Sequence, residues 1–252
     1  MATLTQFLVK QLDKRFDRAI FHHNTNENVI ALTIDDVPKP NDPDDQSTQL
    51  ILDTIATHNQ QLVDSNQHVR ATFFIISSHL DKDSTIIQRM ISEGHEIANH
   101  GVADDRHYQE HPAIFNLQIN SAHHKISEYS SQQLRLYRPG WGLYNQTMIE
   151  TLAEMAQQKN YESHFALASM LPFDTAPVLS NPRFTAWYLA QHIFPGSILV
   201  LHGGPERRGI PRSANTAKVL KHFLSRLLDK YPDYRVTTLG DLLSIDESAS
   251  SS

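Results

Sequence analysis

The 252-residue sequence predicts an α/β protein, a parallel (β/α) barrel of about seven strand–helix units. Three observations carry that expectation. Apolar runs at residues 29–34, 70–76 and 197–201 are nearly uninterrupted, as strands covered on both faces require. Between such runs, apolar residues recur at helical spacing. Polar side chains suited to chemistry stand where strands stop: Asp35 and Asp36, His100 with Asp104, Arg138, and His202. In a parallel barrel all strand carboxyl ends open on one face, so these residues would converge.

Each element has its own signal. Leu4, Phe7, Leu8, Leu12, Phe16 and Ile20 make an amphipathic helix over residues 3–20. Residues 29–35 form the first strand, and Pro38, with no N–H and a fixed φ, must stop it. After a polar loop, Ser47 is the expected N-cap of a helix reaching Val63. The strand at 70–76 precedes a helix over 84–93 that ends at Gly94, a residue type favoured just past a helix. A short strand follows at 95–99, then a helix over 112–129 and a strand at 135–138. The loop Pro139-Gly-Trp-Gly142 opens a helix through Lys159. The remaining expectations are a strand within 161–169, a helix over 183–192, the strand at 197–201, a helix over 213–230, a strand at 234–237 and a short helix at 239–244. No repeat or low-complexity linker interrupts the series. The barrel is assigned to residues 28–245, with 1–27 as a helical segment packing on or flanking it and 246–252 as a flexible polar tail.

A chain with 40% hydrophobic residues can bury a full core, and a net charge of −6 with no dense Lys/Arg stripe argues against nucleic acid as partner. The absence of cysteine excludes disulfides and thiolate metal sites. No run approaches the length of a membrane span, and the N-terminus lacks a basic segment followed by a long apolar one. The expectation is therefore a cytoplasmic protein with no membrane partner. His22, His23, His123, His124 and His222 lie away from strand ends and read as surface residues, and Trp187 and Tyr188 as packing.

Two adjacent carboxylates at the end of a buried strand suit a catalytic site, although an Asx-rich turn that merely ends the strand explains them equally well. His100 and Asp104 are four apart, so on a helical turn they would share a face. With Asp36 they would make a one-His, two-carboxylate set open to zinc, iron, manganese, cobalt or nickel. Arg138 could hold a carboxylate bidentately, and the loop after it could offer N–H groups to an oxyanion, or simply turn the chain with Trp141 on the core. His202, before two glycines, could serve as a general acid or be a hydrogen-bonded core residue, with Asp174 placed to orient it.

In this order the motifs resemble those of the polysaccharide deacetylase (NodB-homology) family, carbohydrate esterase family four, across residues 28–244. The matching stretches are Thr33-Ile-Asp35-Asp36-Val-Pro38, Asn99-His100-Gly-Val-Ala-Asp104, Arg138-Pro-Gly-Trp141-Gly142, Asp174 and Leu201-His202. The resemblance implies a distorted barrel with fewer than eight regular units and a metal-dependent hydrolase cleaving a C–N amide bond, most simply N-deacetylation of an N-acetylated sugar or oligosaccharide. It implies Asp35 as general base, with Asp36 and His100 as metal ligands. It also implies Arg138 holding the base, the Trp141 backbone N–H facing the oxyanion, and His202 as acid tuned by Asp174. The metal implied is a divalent ion, with zinc first and cobalt, nickel, manganese or iron as alternatives. Asp104 stands where the family has a second histidine and, as in a subgroup of the family, would be the third ligand, with Asp105 or His107 as alternatives. Val37 replaces a glycine and adds bulk beside the metal. The missing export signal turns the expectation from a wall polymer toward a soluble sugar amide. The alternatives are a small non-sugar amide, as in allantoinase-like members, with Arg207 or Arg208 receiving a carboxylate, or an inactive barrel that binds.

Overall fold

The computed structural model describes residues 4–16, 18–42, 44–81, 84–130, 133–159, 165–170, 174, 181–206 and 209–246. Arg207, Arg208, residues 161–164 and the tail beyond 246 lie outside them. In chain order the elements are α1 (Leu4–Arg15), β1 (Ala19–Ile20), β2 (Val29–Val37), α2 (Gln46–Asn59), β3 (Ala71–Ile75), α3 (Thr85–Ser92), β4 (Glu96–Asn99), α4 (Pro112–Ser127), α5 (Gln146–Lys159), β5 (Phe165–Ala166), α6 (Pro182–His192), β6 (Ile198–His202), α7 (Arg212–Lys230), β7 (Arg235–Thr237) and α8 (Leu239–Leu243). Among the described residues no helix is long and apolar enough to cross a membrane.

The strands form a distorted parallel barrel whose regular ladder runs β4-β3-β2-β6, with β7 also paired to β2. All nine residues of β2 are buried, the polar Thr33, Asp35 and Asp36 with the apolar ones, in a strand paired on both edges. Elsewhere the pairing thins to β1 with β5 and to isolated bridges, Asn99↔Tyr137, Tyr137↔Phe165 and His22↔Ser197. The strand expected at 135–138 is thus reduced to the bridge at Tyr137. The helix expected over 3–20 stops at Arg15, because Ala19 and Ile20 pair with Phe165 and Ala166 instead.

Helix α7 shows how the layer outside the strands is held. Val219, Leu220, Phe223, Leu224 and Leu227 are its buried stripe, at the spacing of one helical face, and join the main core. Helix α2 is capped two residues before the expected position: Asp45, not Ser47, caps it, its carboxylate accepting from the Thr48 N–H at 3.0 Å. Ser47 itself donates to Asp45 at 2.9 Å, so the stronger acceptor takes the capping place.

Candidate active site

The site is built around a fault in β2. Its register with β3 runs from Leu32↔Ala71 to Ile34↔Phe73 and resumes at Val37↔Ile75, so one extra residue is inserted in β2. Asp36 takes up that insertion at φ 66°, a left-handed conformation uncommon outside glycine. Consecutive strand residues normally face opposite ways. The bulge removes that constraint, and Asp35 and Asp36 reach the same group of residues.

Asp35 is buried and its Oδ1 accepts from Arg138 Nη1 at 2.7 Å. Every nitrogen of that guanidinium is used. Nη1 also donates to Thr33 Oγ1 at 2.7 Å, Nε to the Ala166 carbonyl at 2.6 Å and Nη2 to the Leu167 carbonyl at 2.9 Å. The plane lies over the Phe74 ring, 4.1 Å from its centre. Thr33 donates in turn to the Leu199 carbonyl at 2.7 Å, which ties β2 to β6 beneath the site. Arg138 is therefore a fixed charge, and it fixes Asp35.

Beside this pair, Asp36, His100 and Asp104 bring one ligand atom each within 4.8 Å of one another. His100 Nδ1 lies 2.8 Å from the Arg138 carbonyl oxygen, which can only accept, so Nδ1 carries the proton and, in the neutral ring, Nε2 keeps its lone pair. Nε2 is 3.2 Å from Asp36 Oδ1, and that buried oxygen has no hydrogen-bond donor. Burial would raise the Asp36 carboxyl, but His100, with His202 and Arg212, holds it well below the usual carboxylate range. An ionised carboxylate, an imidazole whose Nδ1 proton is tied to the Arg138 carbonyl so that Nε2 is the nitrogen that gives up its proton to a metal, and a second carboxylate make a donor set that fits a divalent cation. The spacing of His100 and Asp104 comes from a bend through Gly101, at φ 88°, rather than from a helical turn. The alternatives to Asp104 point elsewhere: Asp105 is exposed, and the buried His107 ring faces the Ala103 carbonyl at 3.1 Å and Glu110 at 3.3 Å.

On the opposite side, Asp174 grips His202 twice. One carboxylate oxygen accepts from the His202 backbone N–H at 2.7 Å, and the carboxylate stands 3.2 Å from Nδ1. Burial would lower the imidazole, but Asp174, helped by Asp36 and Asp35, pushes it up to about 9. That shift favours the charged imidazolium at neutral pH, and the side chain, 22% exposed, is reachable from outside. The two following glycines are required by space. At Gly204, with φ 73°, a Cβ would fall 2.1 Å from the Asp36 carbonyl oxygen, so only glycine lets this loop pass against β2.

All eight residues singled out in the sequence thus meet at one end of the barrel, with Trp141 on the rim. Its side chain is 47% exposed with the Arg106 guanidinium 4.8 Å from its ring centre, and is not packed on the core. One charged residue escaped the sequence reading: Arg212, at the start of α7, is buried and its Nη1 donates to Asp36 Oδ2. Its signal was present, since a cation in a first helical turn opposes the helix dipole. Three histidines read as surface residues are not. His23 and His123 are buried, and the His22 side chain is 7% exposed against Asp13. His23 is fixed by the Ile245 carbonyl at 2.8 Å, a contact between chain ends that no local pattern encodes. Trp187 departs the other way and is 43% exposed.

Residues 22–159 match the polysaccharide deacetylase family. The chain belongs to that family. Among curated relatives of this polysaccharide deacetylase-family chain is a chitooligosaccharide deacetylase of Rhizobium leguminosarum bv. phaseoli, 31% identical over 181 residues that cover 69% of this chain and 68% of that one. The fold is shared with a solved peptidoglycan N-acetylglucosamine deacetylase in complex with a hydroxamate. The two are 20% identical with a TM-score of 0.72, covering 95% of this chain and 99% of that one. It is also shared with a family-four pseudoenzyme of Bacillus anthracis, 18% identical with a TM-score of 0.70, covering 91% and 69%.

Proposed function

We propose that this family member is a divalent-metal-dependent hydrolase that removes the acetyl group from an N-acetylated sugar or oligosaccharide, with zinc as the first candidate metal. The reading rests on one observation, the meeting of a clamped carboxylate, a three-residue donor set and a carboxylate-held imidazolium at one end of the barrel. A similar chitooligosaccharide deacetylase supports the sugar amide as substrate class.

A cation held by Asp36, His100 and Asp104 would supply Lewis acidity toward the amide carbonyl and make water a better acid. Asp35 takes the proton of the attacking water, its position set by Arg138. The Trp141 backbone N–H donates to the oxygen on which negative charge develops. His202, already protonated, gives its proton to the leaving nitrogen, so the products are acetate and a free amine. Charge on His202 is maintained by Asp174.

Two measurements test this reading. Purified protein is expected to carry about one divalent metal per chain by elemental analysis and to release acetate from chitooligosaccharides, with His100→Ala losing both. A wild-type protein that takes up none of zinc, cobalt, nickel, manganese or iron would instead favour the non-catalytic state known for the anthracis neighbour. The alkaline limb of the pH profile should report His202. Its protonated form is the active one, so kcat/KM should fall as pH rises through about 9. In Asp174→Asn the imidazole loses its main support, and the limb should move to lower pH. An unmoved limb would assign the acid elsewhere.

A further inference from the structure

We propose that Arg212 is a positioning residue of the metal site, which holds one oxygen of Asp36 so that the other is presented as a single ligand, and which offsets the second carboxylate of the donor set. The inference rests on the metal reading above and goes beyond it, because no family motif or sequence signal used there includes Arg212.

Arg212 is brought to Asp36 across 176 residues of chain. It is the first residue of α7, directly after Pro211, and it is buried. Its Nη1 donates to Asp36 Oδ2, while Asp36 Oδ1 has no donor and faces His100 Nε2. The two oxygens of one carboxylate are therefore divided, one tied to a guanidinium and one turned into the donor set. A guanidinium buried this deeply is a poor source of stability, because desolvation offsets most of the attraction. Its Nε has no acceptor, so the residue is not placed to satisfy its own hydrogen bonds.

The charges around the site explain why it is there. Asp35 is matched by Arg138 and Asp174 by the His202 imidazolium. Asp36 and Asp104 put two carboxylates on the donor set itself, and Arg212 offsets the charge of Asp36. The donor set with Arg212 then carries the same net charge as a set of one carboxylate and two neutral imidazoles. Without Arg212, Oδ2 would be a second buried oxygen lacking a donor, and the carboxylate would turn to satisfy it, giving up the orientation of Oδ1.

Groups that orient a metal ligand from behind typically govern affinity by about 10- to 100-fold. Arg212→Met should weaken binding of zinc and of cobalt by that factor, measured by competition with a chromophoric chelator. In the cobalt-loaded protein it should also change the visible d–d spectrum, because Asp36 is free to engage through both oxygens. Arg212→Lys, which keeps the charge and loses the fork, should fall between. Apoprotein melting curves for each variant separate this effect from a loss of fold, and if Arg212→Met does not fold, the lysine variant decides. Binding unchanged or tightened in a folded variant would overturn the proposal and mark Arg212 as a competitor of the metal for Asp36. Absence of metal binding by the wild type would overturn the underlying site reading instead.

Discussion

Asp35→Asn is expected to lower kcat for acetate release by about 10²- to 10⁴-fold while leaving the metal at wild-type stoichiometry. The substitution is isosteric. An asparagine oxygen can still accept from Arg138 Nη1, and that guanidinium keeps Thr33 and the Ala166 and Leu167 carbonyls, so the architecture persists. What disappears is the basicity that takes a proton from water. Asp36, His100 and Asp104 are untouched, which is why metal content is the discriminating companion measurement. Near-full activity would remove Asp35 from the role of base. Joint loss of metal and activity would make it a ligand.

Arg138→Met should destabilise the fold by about 3–5 kcal/mol, the range for removing one partner of a buried ion pair. Methionine can fill part of the space over Phe74. It cannot donate to Asp35, Thr33 or the two carbonyls, and Asp35 would be left a buried, uncompensated charge. The assignment makes a second demand. In an Asp35→Asn background the same substitution should cost less, because no charge is stranded, and a double-mutant cycle on urea unfolding would give that coupling. A single-variant loss within about 1 kcal/mol of zero would show that Asp35 is not left as a stranded buried charge, and would overturn the ion pair as a support of the fold.

Much of the site was legible because strand ends are legible. An apolar run that stops at Asp35-Asp36 before proline, or at His202 before two glycines, marks the carboxyl end of a buried strand in local sequence. Once the strands are parallel those ends must share a face. Arg212 was not legible in the same way. It begins a helix and follows no strand, and only the path of α7 against β2 brings it to Asp36. His23 and His123 were misplaced for a related reason, since a histidine on a helix or loop gives no sign of what will be packed over it.

By itself the sequence determined the class of fold, the order of most of its units and seven residues of the candidate site, because hydrophobic period and chain-stopping residues act locally. Tertiary structure alone decided three things. It set the bulge that brings Asp35 and Asp36 to one side of β2, and it made Asp104, rather than Asp105 or His107, the neighbour of His100. It also set the division of Asp36 between His100 and Arg212. Each depends on strand register or on contacts between residues far apart in the chain. Those are settled by how the elements pack, and not by the residues on either side.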